Sequence, residues 1–205
     1  MERTPVYGLE DRPPAACGGV VTLGNFDGVH RGHQRIVETV RRQADAAGLP
    51  AVAVTFEPPP ERILHPEHEP RRIVPPAVKC ARLAEAGAQY VLTVRTDRAL
   101  LEMSPEEFVE DFLVKDLAPR QVVEGPNFYF GLARSGNVDT LRRAGDVHAF
   151  GVHVVEPVVL ALGDGRRRVS STRIRELLAG GHVEDAGACL GRPFTLFGRV
   201  VSGSG

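Results

Sequence analysis

Val20-Val-Thr-Leu-Gly-Asn-Phe-Asp-Gly-Val-His-Arg-Gly-His-Gln34 is the stretch that decides the fold. Val20, Val21 and Leu23 form an apolar run of strand length. The run breaks at Gly24, turns through Asn25, Phe26, Asp27 and Gly28, and opens into an amphipathic stretch, Arg31–Ala47, that reads as a helix. Strand, glycine turn and helix start together bring free backbone N–H groups and the positive end of a helix beside a bound anion. His30 and His33 stand three apart at that helix start and share one face, with Gly32 between them to let a ligand approach the backbone. A phosphate chain suits such a place, because phosphoryl transfer needs charge stabilisation more than covalent chemistry. Taken alone, the turn is equally compatible with an ordinary connection, and the histidine pair with a solvated helix face. Metal ligation by the pair is the weaker reading: no Glu lies between the histidines, and no cysteine or third histidine clusters nearby.

The 205 residues suit one α/β domain able to bury a proper core. A net charge of −1 gives no electrostatic case for nucleic acid. No apolar run reaches membrane-spanning length, and the opening M-E-R-T-P lacks the apolar region of a signal peptide. Cys17, Cys80 and Cys189 are far apart and odd in number, which fits inert thiols in a reducing, cytoplasmic setting.

Outward from the opening motif, residues 1–18 are polar and punctuated by Pro and Gly, and read as an extended lead-in. Gly48 stops the first helix. Ala51–Phe56 is a second strand, and the prolines after it stop strand and helix alike, leaving a long irregular loop from Pro58 to Pro76. Long loops at the carboxyl ends of strands are where open α/β sheets bind ligands. Pro76–Gly87 reads as a helix, Tyr90–Val94 as a strand, and Ser104-Pro-Glu-Glu107 as a capping box starting a helix to about Lys115. Strand Gln121–Glu124, a helical piece Val138–Ala144, and strands Val152–Val155 and Val158–Leu162 follow, with Gly163-Asp-Gly165 as a tight antiparallel turn. Strands alternating with helices predict a doubly wound, mostly parallel sheet.

Two further stretches stand out. Gly125-Pro-Asn-Phe-Tyr-Phe-Gly131 follows a strand and, taken alone, reads first as a plain turn with two core phenylalanines. Arg167-Arg-Val-Ser-Ser-Thr-Arg-Ile-Arg175 reads as an N-cap beside a solvated basic edge, or as hydroxyls, helix N–H groups and guanidiniums clamping a triphosphate.

The order G-x-F-D-G-x-H-x-G-H, then G-x-N-F-x-F-G, then S-S-T-x-x-R resembles the H-x-G-H nucleotidylyltransferase superfamily, and within it the bacterial FAD synthetases (FMN adenylyltransferases), over about Val20 to Phe194. The resemblance implies a Rossmann-like fold. It implies transfer of AMP from Mg-ATP to FMN with loss of pyrophosphate, in one direct step without a covalent enzyme intermediate. His30, His33, Asn127 and Arg175 would be catalytic. Gly24, Asn25, Phe26, Asp27, Gly28, Arg167, Ser170, Ser171 and Thr172 would bind ATP, and Phe56, Pro58, Pro60, Asn127 and Phe128 would bind the flavin. Mg²⁺ would be held mainly by the ATP phosphates, with no dedicated protein metal site. Asp27 would orient its loop or a water, or satisfy turn N–H groups. The nucleotidyltransferase domain would span 19–192. Residues 193–205 would be the remnant or linker where the riboflavin kinase barrel of bifunctional members begins, so kinase activity is not expected of these residues. Two departures bear on substrate. The family's F-x-P-H-P is here Phe56-Glu-Pro-Pro-Pro60, with Pro59 for histidine, and Tyr129 replaces a residue that is often basic. A related transferase using another phosphorylated acceptor or CTP, and a non-catalytic flavin or nucleotide binder, are the rival readings.

Overall fold

A computed structural model describes residues 6–68 and 70–198. Six parallel strands make the central sheet: β1 (Val6–Gly8), β2 (Val20–Gly24), β3 (Ala51–Glu57), β4 (Tyr90–Arg95), β5 (Gln121–Glu124) and β8 (Gly151–Val154), in the spatial order β1-β4-β3-β2-β5-β8. The chain winds from β2 outward to β4, then returns to lay β5 on the other side of β2. The direction of winding therefore reverses between β2 and β5, and the carboxyl ends of those strands open onto a crevice.

The central strands β2, β3, β4 and β5 are largely buried on both faces, which is why they read as apolar runs, whereas the edge strands β1 and β8 are partly exposed. On one face, α1 (Arg31–Ala47) packs Val37, Val40 and Ala44 toward Val20, Ala51 and Val123, while α3 (Pro76–Glu85) sets Cys80 and Leu83 near Ala53 and Val91. On the other face, Val21, Leu23, Val52, Val54, Leu92 and Val122 meet Phe108, Phe112, Leu113, Leu117 and Leu141. Those side chains come from α5, which starts at Pro105–Glu107 and continues as wider π-type turns over Phe108–Leu117, and from α6 (Val138–His148). The Ser104–Glu107 capping box forms with both its hydrogen bonds. Asn137 caps α6 by accepting from the N–H groups of Asp139 and Thr140.

Several segments differ from expectation. The lead-in contributes β1, which pairs in parallel with β4 at the sheet edge. The loop after β3 holds a short helix, α2 (Pro60–Leu64): Pro60 sits in its first turn, where a missing N–H does no harm. Another short helix, α4 (Arg98–Glu102), is capped by Asp97, and β6 (Tyr129–Phe130) pairs with β7 (Gly136–Asn137) in a small antiparallel ribbon. As expected, β9 (Val159–Leu162) and β10 (Gly165–Arg168) form a tight hairpin with Leu162 opposite Gly165. Helices α7 (Ser171–Ala179) and α8 (Val183–Leu190) close a separate cluster of Ile73, Val169, Ile174, Leu177, Cys189 and Leu190. The expected opening of a barrel strand falls mostly on residues 199–205, outside the described residues.

Leu92 lies fully buried in β4, between strands on both sides. Leu92→Ala lowers stability by about 3 kcal/mol, read from urea unfolding, because parallel strands cannot close over the cavity.

Candidate functional site

A cleft of about 670 Å³ opens at the carboxyl ends of the strands, at the reversal between β2 and β5. Its floor is the opening motif. Gly24, Asn25, Phe26, Asp27, His30 and His33 all line it. The motif's backbone is bent hard: Phe26 and Val29 adopt φ of +48° and +39° and are held there by burial of both side chains. Gly32 lines the cleft and also makes room for a neighbouring ring. A Cβ at Gly32 would lie 3.1 Å from the His30 ring, so the glycine makes room for the imidazole. Gly28, at φ +82°, backs onto Ile73 and Leu190 and does not line the cleft.

The two histidine rings stack with centroids 3.5 Å apart, and the edge of Phe26 meets His33 at 5.2 Å. His30 caps α1, its Nδ1 accepting the His33 N–H at 3.3 Å. In the neutral ring the His30 proton therefore sits on Nε2. Burial pushes His30 down to about 4, with the charges of Arg168 and Arg192 adding to the effect. Burial also lowers His33 well below the usual range, helped by His30 and Lys79. Both rings are neutral near pH 7. The His33 Nδ1 and the Asn25 Oδ1 are buried with no hydrogen-bond partner among the described residues.

Asp27 ties the pieces together. Its carboxylate accepts the Ile73 N–H at 3.1 Å and the Val74 N–H at 3.4 Å, and pairs with Arg175 at 2.7 Å. Its carbonyl accepts the Ser171 hydroxyl at 2.8 Å. The turn N–H role expected of Asp27 is thus exercised on a segment 46 residues away. Ser170 caps α7, and Ser170, Ser171, Thr172 and Arg175 all line the cleft. Arg175 also donates to the Arg71 carbonyl.

Arg167 is not brought to the cleft. Successive residues of β10 face opposite ways, so Arg167 turns out to Asp164 while Arg168 lines the cleft in its place. Pro58 lines neither this cleft nor the cavity beside it. That second cavity, about 660 Å³, shares Asn25, Glu61, Asn127, Phe128 and Arg134 with the cleft and is walled by Phe56, Pro60, Ile63, Leu100 and Phe108. The phenylalanines of the second signature divide: Phe128 faces both cavities, whereas Phe130 is buried against Phe108 at 5.2 Å.

Two buried charged residues were not singled out from sequence. Lys79 on α3 is 5% exposed and lines the cleft. Glu124, the last residue of β5, is 3% exposed; its Oε1 accepts the Leu23 N–H at 2.7 Å and the Thr22 hydroxyl at 3.3 Å. Strands β2 and β5 pair only over Val20–Gln121 and Val21–Val122, so beyond that point the Glu124 carboxyl replaces the ladder. Burial raises its pKa well above the carboxylate range, and the two hydrogen bonds only partly oppose this. The available signal was a single acidic residue ending an apolar strand.

The FAD synthetase family profile matches residues 12–173. Curated relatives named bifunctional riboflavin kinase/FMN adenylyltransferase include the Escherichia coli K12 protein, 35% identical, and the Pseudomonas fluorescens protein, 40% identical, each over 97% of this chain. The chain spans 61% and 62% of those two proteins. A crystal structure described as a macrolide-efflux protein from Streptococcus pneumoniae superposes with a TM-score of 0.75 at 28% identity, covering 92% of this chain and 61% of that one. Among the described residues of this chain, no helix is long and apolar enough to cross a membrane. The chain belongs to the FAD synthetase family.

Unfolded, Glu124 titrates near pH ~4.3; folded, it keeps its proton to higher pH. The folded state then binds more protons than the unfolded one, so the Glu124 contribution to stability falls as pH rises above about 4.3. Glu124→Gln keeps the acceptor and removes the titration. Urea unfolding shows this variant gaining stability over the parent as pH rises above about 4.3.

Proposed function

We propose that this member of the FAD synthetase family transfers AMP from Mg-ATP to the phosphate of FMN. An oxygen of the FMN phosphate attacks the α-phosphorus of ATP, the bond to the β-phosphate oxygen breaks, and pyrophosphate leaves. The observation that carries the reading is the joining of two unlike cavities. One is the more polar of the two and holds the stacked histidines and the α7 start; the other is mainly apolar; Asn25, Asn127 and Phe128 line both. A flavin ring suits the apolar half, stacking on Phe56, Phe128 and Pro60, with the reacting phosphates at the boundary.

The polar half supplies positioning and charge stabilisation. The His30 Nε2–H is a neutral donor for a phosphate oxygen, and its fixed tautomer follows from the Nδ1 bond to the His33 backbone. Ser170, Ser171 and Thr172 offer hydroxyls and N–H groups at the α7 start, where the helix dipole favours the triphosphate. Arg175, steadied by Asp27, faces the departing pyrophosphate. Asn127 offers donors and an acceptor where acceptor and nucleotide meet. Mg²⁺ bound to ATP supplies further charge neutralisation on the phosphates. Asn25 Oδ1, buried with no hydrogen-bond partner among the described residues, would be one oxygen able to face that ion.

A second reading, transfer to another phosphorylated acceptor or from CTP, draws on Pro59. It lines the cleft and offers no hydrogen-bonding side chain where the F-x-P-H-P pattern would place histidine.

Incubation with Mg-ATP and FMN yields pyrophosphate and FAD, identified by chromatography. His33→Ala lowers the rate at least about 100-fold with an unchanged circular dichroism spectrum. Undiminished turnover in that variant removes the mechanism. ATP binding without FAD formation by the parent moves the assignment to the second reading.

A further inference from the structure

The ribbon of β6 and β7 walls the mainly apolar cavity. Residues 129–134 all line that cavity, and of these only Arg134 also lines the cleft. The turn that carries Arg134 is tied down. The Leu132 N–H donates to the Met103 carbonyl at 2.6 Å, the Ser135 hydroxyl donates to the Leu132 carbonyl at 2.7 Å, and a Cβ at Gly131 would lie 2.8 Å from the Pro105 nitrogen. Ala133 and Arg134 are held at φ of +52° and +60°, a region that residues with a Cβ rarely adopt. Glycine would suit that backbone better, so the backbone gives no reason for an arginine there. The guanidinium sits over the ring of Tyr129, 5.0 Å from its centre. Among the described residues it has no carboxylate partner, and its N–H groups have no acceptor. A ring face steadies a cation without using up its N–H groups, which leaves the planar fork free for an anion.

We propose that Arg134 binds the phosphate of the flavin acceptor at the boundary between the two cavities. The inference rests on the adenylyltransferase reading and deepens it by assigning a residue to that phosphate. A flavin ring seated in the mainly apolar cavity must send its phosphate into the cleft to reach the α-phosphorus of ATP. The phosphate therefore meets the residues that line both cavities. Among these described residues Arg134 is the one cation and Glu61 the one acid, with Glu61 Oε2 accepting from the Asn25 amide at 3.0 Å. An acceptor phosphate brought between that carboxylate and a triphosphate is repelled from both sides, and the guanidinium offsets the repulsion. Arginine stays protonated throughout, so it gives and takes no proton while the new bond forms and pyrophosphate leaves.

The test compares FMN with riboflavin, which differs only in lacking the phosphate, by quenching of flavin fluorescence in the parent, Arg134→Gln and Arg134→Gly. The parent binds FMN more tightly than riboflavin. Both variants keep riboflavin affinity and lose about 10- to 100-fold in FMN affinity. Neither change removes a side-chain hydrogen bond, and glycine is at ease at this φ, so a folded variant is at hand should the glutamine one fail. A preserved FMN preference in a folded variant overturns the inference and leaves the proposed function standing. Equal loss of both flavins assigns Arg134 to the ring or to the shape of the cavity and likewise overturns it, as does a parent that binds both flavins equally. A parent that binds neither flavin overturns the proposed function, and the inference with it.

Discussion

The Asp27 carboxylate holds this site in one piece. Its two oxygens take two backbone N–H groups from the 73–74 segment and one guanidinium from α7, while its carbonyl takes the Ser171 hydroxyl. Two parts of the chain, each far from Asp27 in sequence, are thereby fixed on the turn after β2. Such an anchor works because hydrogen bonds to a charged acceptor are stronger than neutral ones, and because Asp27 is shielded from water by what it binds. The cleft's two rims would otherwise be separate layers: one packs on the sheet through α1 and α3, the other belongs to the small cluster around α7 and α8.

Within that frame, the site is electrostatically quiet at its centre, and its walls carry cations interleaved with Asp27, Glu57, Glu61 and Glu156. Burial drives both histidines and Glu124 toward their neutral forms. Arg168, Arg175, Arg72 and Lys79 stand around them. Neutral donors at the floor and cations at the sides suit a polyanion: charge is met from around the ligand, and the rings keep fixed tautomers instead of exchanging protons with solvent.

Much of this was legible because strand burial and helix starts leave strong marks. Val20–Gly24, Ala51–Glu57 and Gln121–Glu124 are apolar since helices cover both faces, and Arg31–Ala47 carries its glycine stop at Gly48. The motif residues His30, His33, Asn127, Ser170, Ser171 and Thr172 do converge on one cleft. Features that depend on tertiary contact were not legible. β1 is only three residues long and is a strand because β4 lies beside it. Arg167 and Arg168 are neighbours in a basic run, and only the hairpin register sends one outward and the other inward. The partners of Glu57, Lys79 and Glu124 lie on other elements or across the crevice, so no local pattern announces them.

The positive φ angles at Phe26 and Val29 reach beyond the turn that contains them. A β-branched residue in that conformation relaxes unless its side chain is gripped, and the grip comes from Val37, Cys80, Leu83 and Val91, well behind the cleft. The turn is in effect a loaded spring whose latch is the hydrophobic layer between α1, α3 and the sheet. Loosening that layer far from any ligand would let the turn unwind, so packing there sets the aim of the histidines as firmly as the residues that touch them.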